Sequence, residues 1–278
     1  TGANVVALAS VVQSFEAIFC SDCSHIWSDE CAAPQHFIGC KVVPVKSHQG
    51  KITPAAIEAL FGPDRGVHHA RPKLVSITQP TELGSLYSLA EIRALGEFCR
   101  EHGLLLHADG ARFANAAAAL DVSLANLSHG AGIDILSLGA TKNGALNAEA
   151  VLFFSDDGRG KNGFVRKQVT QLPSKMRFIA AQFDALFGSD LWLENAQHAN
   201  AMASRLANAA ANCGIELLLP QQINALFPRL SNELIAVLQK ECDFYVWDEA
   251  QAIARWMTSF NTAEEDIVTF EKLIRAAC

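Results

Sequence analysis

Two short motifs in this sequence hold residues suited to covalent chemistry on an amino group: Ser137-Leu138-Gly139-Ala140-Thr141-Lys142 and His107-Ala108-Asp109-Gly110-Ala111-Arg112. A lysine among small residues at the end of an apolar run is partly desolvated, which favours the neutral amine, and a neutral amine attacks carbonyls. Alone, Lys142 reads as a solvated surface charge. Asp109-Gly110 alone reads equally as a turn, with Arg112 as its ion-pair partner. The pair together suggests something more specific. Pyridoxal phosphate (PLP) needs a lysine for its aldehyde carbon and a carboxylate that keeps its ring nitrogen protonated, so the ring can accept electrons. Asp109 at one strand end, followed by Lys142 at the end of another, matches the order and rough separation of such a site.

Three further features converge on the same chemistry. Thr1-Gly2-Ala3-Asn4 reads as a glycine turn opening an apolar helix, and a helix N-terminus offers backbone N–H groups to a phosphate. His25 lies in the polar and aromatic stretch Ser24-His25-Ile26-Trp27-Ser28-Asp29-Glu30, where an imidazole either stacks on a ring or serves the structure. Arg255, in Ala254-Arg255-Trp256-Met257-Thr258, puts a charge inside a strand-like segment, and buried arginines meet a carboxylate of the protein or of a substrate.

The elements that must position these residues read as βαβ units, so a mainly parallel sheet with helices on both faces is expected. Leu74 to Thr78 is strand-like. Ser88 and Glu91 then form a capping box ahead of a helix with Ile92, Leu95 and Phe98 on one face, ended by Gly103. Leu104 to His107 and Asp134 to Gly139 are the next strands, and each runs directly into a charged motif. Both motifs therefore fall past strand carboxyl ends, where open α/β sheets bind ligands. Long helical patterns fill the stretch from Gln168 to Asn212. Short strands such as Ala225 to Phe227 follow, and then a final helix with Thr262 and Glu265 as a second capping box and Ile267, Phe270 and Ile274 as its apolar stripe. A boundary near Gly188 divides the expectation into a large domain, 1–187, and a smaller C-terminal one, 188–278.

The 278 residues are 50% hydrophobic, enough for a substantial core. With 22 Lys and Arg against 29 Asp and Glu, the net charge of -7 argues against a nonspecific grip on nucleic acid or an anionic membrane. No apolar run approaches the roughly 20 residues of a spanning helix, and no basic segment precedes an apolar one at the N-terminus, so the expected compartment is the cytoplasm. Cys20, Cys23, Cys31 and Cys40 lie close together, but only the first two are tightly paired, whereas zinc ribbons use two tight pairs. Reduced, mostly buried thiols are expected, and no metal.

The chain resembles the threonine aldolases from Thr1 to near its C-terminus. The resemblance is carried by Thr1-Gly2-Ala3-Asn4, Ser24-His25 with Asp29-Glu30, Thr81-Glu82-Leu83-Gly84, the Asp109 and Lys142 motifs with Asn143-Gly144, Ser174-Lys175-Met176-Arg177-Phe178, and Ala254-Arg255-Trp256. It implies an α/β fold of the PLP-dependent transferase type (fold type I), with a mainly parallel seven-stranded sheet and a smaller α+β C-terminal domain. By the same resemblance Thr1 and Gly2 bind the phosphate, His25 stacks on the ring, Asp109 pairs with the ring nitrogen and Lys142 forms the Schiff base. Arg112 lies beside the cofactor's phenolic oxygen or the substrate carboxylate, Arg255 holds that carboxylate, and Arg177 reaches a neighbouring subunit's phosphate in a homodimer or homotetramer with shared sites. The implied reaction cleaves threonine, allo-threonine or a related β-hydroxy-α-amino acid to glycine and an aldehyde.

The sequence departs from the family at Glu82, which stands where several threonine aldolases place a histidine, so His25, ahead of Glu82, is the candidate for the hydroxyl proton. Asn143-Gly144-Ala145 replaces a glycine-rich stretch, as in the low-specificity branch. The family's N-terminal Ser-Asp-Asn stretch has no match, and the sequence opens without a strand, so a missing N-terminal segment is expected. Two alternatives remain, a PLP-dependent β-eliminating lyase of another amino acid and a noncatalytic metal-binding or scaffold module built on Cys20 to Cys40.

Overall fold

The computed structural model describes residues 1–61 and 66–277. Helix α1 (Gly2–Ala9) leads into β1 (Glu16–Ser21), then the short helices α2 (His25–Ser28) and α3 (Ala33–Ile38), and β2 (Lys41–Val45). Next come α4 (Pro54–Glu58), β3 (Arg71–Thr78), α5 (Leu89–Glu101), β4 (Leu105–Gly110), α6 (Phe113–Leu120), α7 (Leu124–Leu127) and β5 (Ile135–Gly139). β6 (Glu149–Phe153) is followed by α8 (Asn162–Gln168), α9 (Arg177–Phe187) and α10 (Leu191–Asn212). The chain continues through β7 (Ala225–Leu226), α11 (Asn232–Leu238), β8 (Tyr245–Asp248), β9 (Ile253–Met257) and α12 (Glu264–Ala277).

β1 to β6 form one sheet in the order β2-β1-β3-β4-β5-β6, parallel throughout except for β6, which runs antiparallel to β5. The described residues give this sheet six strands where seven were expected. Every residue of β1, β4 and β5 is buried, as the continuous apolar runs of a sheet covered on both faces require. One face packs Phe19, Ile77, Leu106 and Phe113 against Ile92 and Leu95 of α5. The other packs Ile18, Leu74 and Ile135 against Leu8 of α1 and Val12. The Ser88–Glu91 capping box forms as expected, with both reciprocal bonds present.

Register decides where the chemistry lies. Thr78 of β3 stands opposite Asp109 of β4, and Asp109 stands opposite Ser137 of β5, so three strands end side by side. Beneath them His107 is wholly buried, its ring nitrogens 2.8 Å from Ser76 Oγ and 3.0 Å from Ser137 Oγ. Burial pushes its pKa down to about 4, so the ring is neutral and bridges the two serines by donating to one and accepting from the other.

β7, β9 and β8 form a separate antiparallel sheet whose core joins α10 to α12 through Met202, Leu206, Trp256, Ile267 and Ile274. The expected capping box at Thr262 and Glu265 does not form. Thr262 Oγ1 already accepts from the Ser259 N–H at 2.8 Å, and Asp266, one residue after Glu265, reaches back to the Ala263 N–H at 3.1 Å. Among the described residues no helix is long and apolar enough to cross a membrane.

Candidate active site

Two glycines let the charged motifs meet. A Cβ on Gly110 would lie 2.8 Å from Leu136 Cδ1 and 2.9 Å from Ser137 O, and one on Gly139 would lie 2.8 Å from both Cα and O of Ala111. Only bare backbone permits this approach, which seats the Lys142 loop directly on the Asp109 loop. Lys142 sits on a single 3-10 turn, Thr141–Asn143, fixed to α10 by two bonds. Asn143 Nδ2 donates to Trp192 O at 2.9 Å, and Asn195 Nδ2 donates to Asn143 O at 2.8 Å. Burial, and then the charge of Arg112, lower the lysine's pKa against the pull of Asp109 and Glu149. The amine is therefore more available as a nucleophile than a surface lysine.

Asp109 is held in two directions. Its Oδ2 accepts from Asn4 Nδ2 at 2.7 Å and its Oδ1 from the Ala111 N–H at 2.9 Å. Burial opposes its charge, but these two bonds, with His107 and Lys142 nearby, hold the carboxyl below its usual range. Asn4 also donates to Glu30 Oε1 at 3.0 Å, and Glu30 is itself buried. Asn4 thus spans two carboxylates. Sequence reasoning treated it only as part of a glycine turn, because its partners lie far along the chain.

Above Asp109 a cleft is lined by His25, Thr78, Glu82, Arg112, Lys142, Trp247 and Arg255. Burial pushes the Glu82 carboxyl up to about 7, against hydrogen bonds to its Oε1 from Thr78 Oγ1 at 2.8 Å and the His25 N–H at 2.9 Å. Its Oε2 is buried without a partner. His25 Nδ1 lies 3.3 Å from Asp29 Oδ2 without hydrogen-bond alignment. Arg112 and Arg255 converge here, and among the described residues neither forms an ion pair. Burial, and then the charge of Arg255, bring the Arg112 pKa down to about 10. Two unpaired guanidiniums facing one cleft form a site for a small anion.

A wider cavity of about 950 Å³ adjoins the cleft, sharing His25, Asp109 and Lys142 with it. Thr1 and Gly2 line it at the N-terminus of α1, whose first turn carries no acidic residue. Arg177 opens α9 on the same cavity, exposed and with its guanidinium 4.7 Å from the Phe178 ring centroid. Arg166 of α8 lines it as well, a cation the sequence reading passed over. Lys175, just before α9, is exposed. The singled-out residues other than Lys175 therefore line two adjoining spaces.

These groups suit PLP. An ionised buried carboxylate, a lysine of lowered pKa, a helix N-terminus with no acidic residue in its first turn and a cavity of this size are all present, although the Glu30 carboxylate lies 3.3 Å from the Thr1 nitrogen. Within the cavity's lining, Asn4 Oδ1 is buried without a partner. Asp109, Lys142, His25, Thr1 and Gly2 are the residues that would hold the group. The metal-binding alternative gains nothing, because among the described residues no cluster of three or more His, Cys, Asp or Glu side chains could hold an ion. Cys20 and Cys40 are buried and Cys31 is exposed.

A family model described as beta-eliminating lyase matches residues 1–233. The low specificity L-threonine aldolase of Pseudomonas aeruginosa is 40% identical over 99% of this chain and 80% of its own length. That of Saccharomyces cerevisiae is 29% identical over 83% of this chain and 59% of its own. Among solved structures, a threonine aldolase from Leishmania major superposes with a TM-score of 0.94 at 32% identity, over 100% of this chain and 82% of that one. An aspartate aminotransferase from Thermus thermophilus shares the fold alone, with a TM-score of 0.69 at 14% identity over 100% of this chain and 73% of that one.

Proposed function

The chain belongs to the beta-eliminating lyase family, whose cofactor is PLP, and on that footing we propose that it cleaves threonine and related β-hydroxy-α-amino acids to glycine and an aldehyde. The observation that carries the reading is the pair of unpaired arginines, Arg112 and Arg255, converging beside Lys142 and the buried carboxyl of Glu82. An α-carboxylate held by Arg255, with Arg112 beside it, orients the amino acid so that its Cβ hydroxyl lies within reach of Glu82. Lys142 would supply the amine that anchors the cofactor. When bound, PLP accepts the electron pair of the breaking Cα–Cβ bond, a capacity that depends on Asp109 keeping the ring nitrogen protonated.

Glu82 takes the hydroxyl proton. Its carboxyl near 7 is poised for proton transfer at neutral pH, and its unpartnered Oε2 is the atom free to receive the proton. His25 is assigned to the ring face, with its Nδ1 turned toward Asp29 Oδ2 at 3.3 Å. As the hydroxyl proton leaves, the Cβ–O bond becomes the carbonyl of the departing aldehyde, and protonation at Cα yields glycine. A second copy of the chain completes the site, with Arg177 serving the partner's phosphate in a homodimer or a homotetramer. The exposed rings of Phe164 and Phe178, near Arg166 and Arg177, support that contact.

The test is product analysis of the PLP-loaded protein. Threonine is expected to give equimolar glycine and acetaldehyde, and Lys142→Ala to lose both turnover and the borohydride-reducible cofactor adduct while staying folded. Keto acid and ammonia from serine, without glycine from threonine, would instead make the chain a β-eliminating lyase of another amino acid.

A further inference from the structure

β8 and β9 pair Tyr245 with Arg255 and Val246 with Ala254, and then Asp248 with Ile253, which leaves Trp247 without an opposite residue. Such a bulge re-aims the side chain it carries. The Trp247 ring stands 5.4 Å from Arg255 Cζ, and Trp247 lines the cleft with Arg112, Glu82 and Lys142. Its flank is braced by buried Phe227, edge to face at 5.4 Å and 77°. Arg255 lacks the usual means of orientation, since it forms no ion pair among the described residues and its Nε is buried without a hydrogen-bond partner. The indole face is the contact left to fix the guanidinium plane.

We infer that Trp247 is a positioning residue, an aromatic platform that holds the Arg255 guanidinium ready for the substrate's α-carboxylate and so sets affinity for the amino acid. This rests on the reading of Arg255 as the carboxylate anchor. A guanidinium free to swing must be ordered when the carboxylate arrives, and that cost falls on binding rather than on bond cleavage. An indole face is also the strongest aromatic partner for a cation, so phenylalanine replaces it in part and an aliphatic residue does not.

The experiment compares the PLP-loaded wild type with Trp247→Phe and Trp247→Leu, measuring kcat and KM for threonine and the inhibition constant for glycine. Trp247→Leu is expected to raise KM and the glycine constant by the same factor, about 5- to 30-fold on the scale of a desolvated cation–aromatic contact. The expected kcat stays within about 3-fold, the cofactor absorbance is unaltered, and Trp247→Phe lies between the other two. Unchanged KM and glycine constants in Trp247→Leu, or a fall in kcat at constant KM, would overturn the inference. If Trp247→Leu does not take up the cofactor, Trp247→Phe decides the matter, since a glycine constant equal to that of the wild type rejects the platform. A wild type that releases no glycine from threonine defeats the reading of the site itself, which separates the two failures.

Discussion

Glu82 illustrates how burial turns a carboxylate into a proton carrier. Its folded pKa of about 7 stands above the ordinary 4.5, so the protonated form is the one the fold favours. The stability this contributes is fully present below about pH 4.5 and is lost as pH rises through about 7, by up to about 3 kcal/mol. Glu82→Gln has no such loss. Its melting temperature without cofactor is expected to exceed that of the wild type increasingly from pH 5 to pH 8, and a constant difference across that range would contradict the assignment. In the loaded enzyme the same change is expected to lower kcat by about 10²- to 10⁴-fold and to remove the acid limb of the rate profile near pH 7. At this scale the sequence was legible where a residue's role is local. Asp109 and Lys142 were found because each sits at the end of an apolar run in a distinctive motif. Asn4 and Trp247 were not, because their roles depend on Glu30, Asp109 and Arg255, which reach them only through the fold. The sequence puts His25 ahead of Glu82 for the hydroxyl proton, and the proposal of Glu82 rests on its desolvation and its free Oε2, neither of which can be read from spacing.

The elements place these residues through a few backbone contacts. Parallel register aligns the carboxyl ends of β3, β4 and β5, and the bare Cα of Gly139 lets the lysine loop rest on Ala111. Gly139→Val would drive a branched side chain into the backbone of Ala111. It is expected to cost about 1–3 kcal/mol of stability and to weaken cofactor binding as the two loops part. Denaturant melts and a PLP titration check both, and unaltered PLP affinity would show that the loops are positioned by something else. The strands were readable because buried parallel strands are continuous apolar runs, and the α5 cap because Ser88 and Glu91 satisfy each other. The α12 cap was misread for a similar local reason. Thr262 and Glu265 have the right spacing, but the Thr262 hydroxyl is taken by the preceding turn, a competition that the spacing does not reveal.

At the scale of the molecule, the 950 Å³ cavity beside the cleft is bordered by Arg166 and Arg177, which suits a shared site. A cofactor phosphate near two negative charges needs more than the N–H groups of α1, and a guanidinium binds two of its oxygens at once. Mixing inactive Lys142→Ala and Arg177→Ala chains is therefore expected to restore activity, since a hybrid pair contains one site with both groups intact. Inactivity of proven hybrids would limit Arg177 to its own subunit. The sheet and the order of its motifs were visible in the sequence, whereas Asn4, Arg166 and Trp247 were not. The second sheet's bulge was not, because one unpaired residue leaves no mark on an alternating pattern.

The convergence of Arg112 and Arg255 also bears on how the protein persists between turnovers. Two like charges held together in the folded chain drift apart in the unfolded one, so their repulsion favours unfolding, opposed in the cleft by Asp109 and Glu82. An amino acid whose carboxylate neutralises them binds only the folded form, and it stabilises that form in proportion to the logarithm of its concentration. On the proposed reading of Arg255 as the carboxylate anchor, supply of substrate bears on the lifetime of the protein as well as on its rate of work.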